Sequence, residues 1–143
     1  MPTSPIVQLQ MMFAVGGILF ALWKGGSAER ATAAVVAANM VLGILKGVFL
    51  PSQHDQLRFV LDGVTAVVLL LITVRYGAAW MGAVMLLFAS QFALHAYYLI
   101  AGRDPADYLH ALVNNFNNSA MVLCLVLGTV TVIMRRRTPI PAA

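Results

Sequence analysis

Long apolar runs follow one another along this chain with almost nothing between them. They cover residues 5–23, 28–50, 53–74, 78–101 and 105–134, and each is close to the ~20 residues that carry a helix across the hydrocarbon core of a bilayer. A backbone in hydrocarbon must satisfy its own polar groups, so short-looped spans are helical, and the alternation a membrane barrel needs is missing. The fold reading is all-α: an integral membrane bundle of five transmembrane helices in a single domain, 1–143. A four-span arrangement, with the first run peripheral, is the alternative. Composition agrees, with 61% apolar and 10% charged residues, against about 45–50% and about 25% in soluble domains. Disorder and a soluble layered enzyme are excluded together. The net charge of +4 comes from basic residues scattered between apolar runs, which is no nucleic-acid-binding patch. The partner this composition implies is the lipid bilayer.

The connections carry helix-end signals. Gly25-Gly26 stops the first span and Ser27 is a candidate N-cap for the second. Ser52 with Asp55 three residues on resembles a capping box for the third. Arg75-Tyr76-Gly77 reads as a tight turn. Gly102-Arg103-Asp104-Pro105 breaks the chain, with Asp104 as N-cap, Pro105 at N1 and Asp107 at N3 of the last helix. That helix is expected as one long piece or two nearly continuous ones, ended by Arg135-Arg136-Arg137.

Five spans put the termini on opposite sides. One side then holds six basic residues, Lys24, Arg30, Arg75 and the three terminal arginines; the other holds three, Lys46, Arg58 and Arg103. The positive-inside rule assigns the N-terminus outside and the C-terminus in the cytoplasm. No basic segment precedes the first run and no small-residue cleavage site follows it, so it reads as an anchor. Trp23, Tyr76 and Trp80 are expected at one interface, and Tyr97, Tyr98 and Tyr108 at the other.

Charged groups inside a membrane are costly and mark function by default. Lys46 falls about 7 Å below the outer end of its helix, His95 about 10 Å below Gly102, and Asp62 about 6 Å beyond Arg58. His54, Asp55, Asp104, Asp107 and His110 lie just above them. Asn114, Asn115, Asn117 and Asn118 enter from the last helix. All three histidines and four of the five acids are thus on one side. Helical spacing puts Asn39, Gly43, Lys46 and Gly47 on one stripe, Asp55, Arg58 and Asp62 on another, and Gln91, His95 and Tyr98 on a third. Asn39, Gly43 and Gly47 are the helix-packing candidates, since small residues four apart allow close approach. Two readings stand. In one, Lys46, Asp62, His95 and Gln91 line an outward-opening pocket, Asp62 pairs with Lys46, and His95 responds to protons or ligand. In the other, the same groups make structural bonds: Arg58 satisfies Asp62 four residues on, Lys46 snorkels, and His95 bonds a carbonyl.

Other chemistries find little support. The histidines come from three separate elements with no metal-ligand spacing, so no metal is expected. His95 has only His110 as a conceivable partner for a haem, and no cofactor is expected. Ser27, Ser90 and Ser119 lack a base and acid at motif spacing, so no residue is assigned as catalytic. Gly25-Gly26 is no phosphate loop. The lone Cys124, inside an apolar run, reads as a small buried hydrophobe.

Gly25-Gly26-Ser27-Ala28-Glu29-Arg30, Asp62 in an apolar run, Arg75-Tyr76 before Trp80, Gln91 four residues before His95, and Gly128-Thr129 before terminal arginines occur together here. This order and spacing, from Trp23 to Arg137, resembles a group of small polytopic inner-membrane proteins of proteobacteria. The resemblance implies the inner membrane and carries no activity with it. The leading functional expectation is a non-enzymatic accessory or structural subunit of a membrane complex, or a homo-oligomer. The alternative is a small transporter or channel- or holin-like protein using the pocket around Asp62, Lys46 and His95. A redox or quinone-associated protein is the third.

Overall fold

The computed structural model describes residues 4–49, 54–104 and 107–137, with the backbone alone at 47 and 54–56. Five helices follow in order: α1 (Pro5–Lys24), α2 (Ser27–Phe49), α3 (His54–Tyr76), α4 (Ala79–Ile100) and α5 (Tyr108–Arg137). All five are long and apolar enough to cross a membrane. There is no strand among the described residues. α5 is one uninterrupted helix of 30 residues, about 45 Å at the usual rise.

The caps differ from expectation in two places. Gly26, not Ser27, caps α2: its carbonyl accepts the Arg30 N–H at 3.0 Å, and its own N–H donates to Glu29 Oε2 at 2.9 Å. The side chain at the third helical position thus reaches back to the cap, as in a capping box. Asp107, not Asp104, caps α5: Asp107 Oδ1 accepts the Leu109 N–H at 3.3 Å, and its carbonyl accepts Ala111 N–H at 3.1 Å. The expected roles of Ser52 and Pro105 lie outside the described residues. Gly77 and Gly102 end α3 and α4 at φ of 67° and 59°, a left-handed conformation that glycine adopts without strain.

Each helix packs on the next, and α5 returns to α1, closing a ring. α4 and α5 run antiparallel, with His95 against His110, Gln91 bonded to Asn114, Asn117 to Ser90, and Trp80 over Gly128. α1 and α5 run parallel, since Gln10 meets Ser119 and Gly17 meets Val122 and Val126. Ile18 and Ala21 of α1 enter a core cluster with Ala33 and Leu125. α1 is therefore a full member of the bundle, which sets aside the four-span alternative.

The outer surface is apolar almost throughout, with Met12, Phe49, Val74, Ile100 and Phe116 all facing outward. Inside, nine buried polar or charged residues stand beside eleven buried apolar ones among the described residues. A soluble protein has the opposite arrangement; here the bilayer is the apolar solvent. Thr73 and Thr129 return their hydroxyls to the carbonyls four residues back, which satisfies them within the helix. Trp80, half-buried, packs against two apolar clusters, because Gly128 leaves room for the indole.

Candidate intramembrane polar site

Helix direction brings the beginnings of α1, α3 and α5 and the ends of α2 and α4 to one end of the bundle. Polar residues from all five helices collect there. At the centre, His95 Nδ1 lies 2.6 Å from Asp62 Oδ2, with both side chains buried. A carboxylate only accepts, so against an ionised Asp62 the hydrogen sits on Nδ1. Asp62 Oδ1 accepts from Asn39 Nδ2 at 3.2 Å, and the same amide donates to Thr65 Oγ1 at 2.9 Å. The Asp62 carboxylate is thus held from α2 and α4 at once.

A second layer lies beside it. Gln91 Nε2 donates to Asn114 Oδ1, and Asn117 Nδ2 donates to Ser90 Oγ at 2.9 Å. Towards the end of the bundle, the His110 ring lies 5.2 Å from that of His95 and 4.7 Å from that of Tyr98, between centroids. The Tyr98 hydroxyl donates to Asp107 Oδ2 at 2.9 Å. This bond, then the Leu109 N–H and the Arg103 charge, hold the Asp107 carboxyl below the usual carboxylate range.

Two cavities flank the Asp62–His95 contact. The larger, about 310 Å³, is walled by α1, α2, α3, α4 and α5, and its polar lining includes Gln10, Asn39, Asp62, Gln91, Asn114 and Asn118. The smaller, about 230 Å³, is lined by Arg58, His95, Tyr98, Arg103 and His110 with Leu99 and Gly102. Arg58 lines both. Gln91 Oε1 and His95 Nε2 are buried without a hydrogen-bond partner among the described residues. Groups left so are costly unless something polar enters to meet them.

Of the candidates drawn from sequence, Asp62, His95 and Gln91 come together. The partners that hold Asp62 are His95 and Asn39, where the sequence reading had proposed Lys46. Lys46 stands two turns along α2 from Asn39 and lines neither cavity. Asn39 bonds α2 to α3 and also lines the larger cavity. Gly43 also lines the larger cavity, and a Cβ added there would meet nothing within 4 Å; it mediates no close approach of helices. The Gly47 surroundings, His54 and Asp55 lie outside the described side chains. Close packing belongs to Gly17, Gly63 and Gly128, where an added Cβ would fall 2.5, 3.0 and 2.6 Å from Val122, Phe92 and Trp80. Tyr98, expected at the interface, is buried at 4% exposure as part of the site. Gln10 was passed over, though a polar side chain inside the first apolar run was its signal. No protein-family model, curated protein or solved structure matches the chain.

Proposed function

We propose that this chain is a small multi-pass membrane protein that binds a small polar solute within the membrane and couples that binding to a proton at Asp62 and His95. The observation that carries this reading is the position of the Asp62–His95 contact. Asp62 lines the larger cavity and His95 the smaller, so their 2.6 Å contact lies between the two, beside Arg58, which lines both. A change of charge on either side is felt directly on the other. Burial makes such a charge change energetically large. The amide-rich wall of the larger cavity offers both donors and acceptors, which suits an uncharged or zwitterionic solute.

By the positive-inside rule the end carrying Lys24, Arg30, Arg75 and the terminal arginines is cytoplasmic, and both cavities belong to the outer half. The resemblance supports the inner membrane as the location. The accessory-subunit reading drew on Asn39, Gly43 and Gly47 as an interface; Asn39 and Gly43 line the larger cavity, and so lend their weight to solute binding.

The test is reconstitution into vesicles enclosing a pH-sensitive dye, under an imposed potassium diffusion potential. A panel of small neutral and zwitterionic solutes is added outside. At least one solute should change proton movement relative to empty vesicles, and Asp62→Asn and His95→Ala should abolish the change while still reconstituting. Wild-type vesicles that respond to no solute, or variants that respond like wild type, would remove the reading. Purification as a defined complex with another membrane protein would favour the subunit reading instead.

A further inference from the structure

We propose that the smaller cavity is a binding site for an anionic phosphate group, held by Arg58 and Arg103 with the imidazoles of His95 and His110. This site does not rest on solute binding in the larger cavity, because Arg103 lines only the smaller one.

The lining is one-sided in charge. Two guanidinium groups, two imidazoles and a phenol line this cavity, and no carboxylate among the described side chains does. Of the acids nearby, Asp62 is bound to His95 and Asp107 to Tyr98, and Asp104 follows Arg103 in the chain. His95, His110 and Tyr98 are 7%, 6% and 4% exposed, so the floor of the site is buried, while Arg58 is half-buried and Arg103 exposed. With Nδ1 engaged by Asp62, the other ring atom of His95 is Nε2, which is buried without a partner among the described residues and donates to a phosphate oxygen when the ring is protonated. Arginine forks match phosphate oxygens in pairs, and such charge-assisted bonds are the strong ones. The cavity lies where α4 ends at Gly102, the depth at which lipid headgroups sit. The outward-facing Tyr97, under Arg103 at 5.5 Å, marks the same level. A free phosphate ester and an anionic lipid headgroup therefore present the same chemistry to it.

The groups facing His95 are Asp62 and Arg58 from α3, Tyr98 from α4, His110 from α5 and Arg103 from the connection between α4 and α5. A protonated imidazole would add positive charge to the lining and could donate to a phosphate oxygen.

The test uses the whole purified protein in neutral detergent, titrated calorimetrically. The free probe is dimethyl phosphate, which carries a single negative charge. The lipid probe is dihexanoyl phosphatidylglycerol, and dihexanoyl phosphatidylcholine is the control. Expected is saturable binding of one or both probes, above that of the phosphatidylcholine control. Arg103→Gln, at an exposed helix end, should weaken it about tenfold with unchanged helical circular dichroism; Arg58→Gln should do the same. Binding of dimethyl phosphate identifies a free phosphate ester as the occupant. Binding of phosphatidylglycerol alone identifies a headgroup. Neither probe exceeding the control, or both arginine variants binding like wild type, overturns the proposal.

Discussion

The two ends of this bundle bury polar groups in opposite surroundings. At the end that carries the terminal arginines, Glu29 is 3% exposed and closed in by tight backbone. Gly26 sits against it, and an added Cβ there would meet Glu29 Oε2 at 2.9 Å and Arg136 Nη2 at 3.4 Å. A little deeper, Ala21, Ala33 and Leu125 are completely buried. At the other end, Asp62, Gln91 and His95 are buried as deeply, yet they surround cavities of about 310 and 230 Å³. Small residues show the same contrast. Gly17 and Gly128 are filled against by Val122 and Trp80, whereas Gly43 faces open space. One end spends its polar residues on closing helix termini, and the other arranges them around room for something else.

The largest effect should come from breaking the central contact on one side only. Asp62→Ala leaves His95 without its acceptor and Asn39 with Thr65 alone, and should cost about 3–5 kcal/mol in thermal unfolding in detergent. Replacing both partners, Asp62→Leu with His95→Leu, should recover most of that loss while proton coupling stays absent. Equal stability of the single and double variants would show that the contact is not the central bond of this end. At the tight end, Leu125→Ala should cost about 2–5 kcal/mol, but solute-dependent proton movement per folded molecule should persist. Loss of that movement at unchanged fold would mean the two ends are not separable.

A smaller pair of changes tests packing alone. Gly128→Ala forces the Trp80 ring to shift and should cost about 1–3 kcal/mol. Gly43→Ala should stay within about 0.5 kcal/mol, because its methyl enters the cavity. A reversed order in the two melting curves would contradict the assignment of tight and open ends. The smallest effect concerns Asp107. Its carboxyl is held below the usual range, first by the Tyr98 hydroxyl and then by the Leu109 N–H. A depressed carboxyl stabilises the fold above its unfolded value, and that contribution is lost as pH falls through the folded one. Melting temperatures should therefore decline on acidification below about pH 4, and Asp107→Asn should flatten that part of the profile.

Much of the architecture was legible because hydrocarbon imposes it locally. Five spans, their ends to within a few residues, and the gathering of acids and histidines on one side follow from length, hydropathy and alternating direction. Caps were less legible, because the competition between neighbours such as Gly26 and Ser27, or Asp104 and Asp107, depends on backbone geometry at the turn. Asp62, His95 and Gln91 were found by the cost of polar groups in a membrane. Their pairing was not found, because helical spacing says which face a residue occupies and not which helix that face meets. Lys46 and Arg58 were both reasonable partners for Asp62 by depth. The lateral order of helices brought His95 and Asn39 to it instead.

The sequence by itself determined a membrane bundle, its helices and the end at which its polar groups gather, since each follows from the free energy of single residues in water or lipid. Only the tertiary structure decided that Asp62 meets His95, that Tyr98 turns inward, that Trp80 packs over Gly128, and that Gly43 of α2 borders a cavity. Those outcomes depend on rotation and contact between helices, which side chains from several helices settle together through packing.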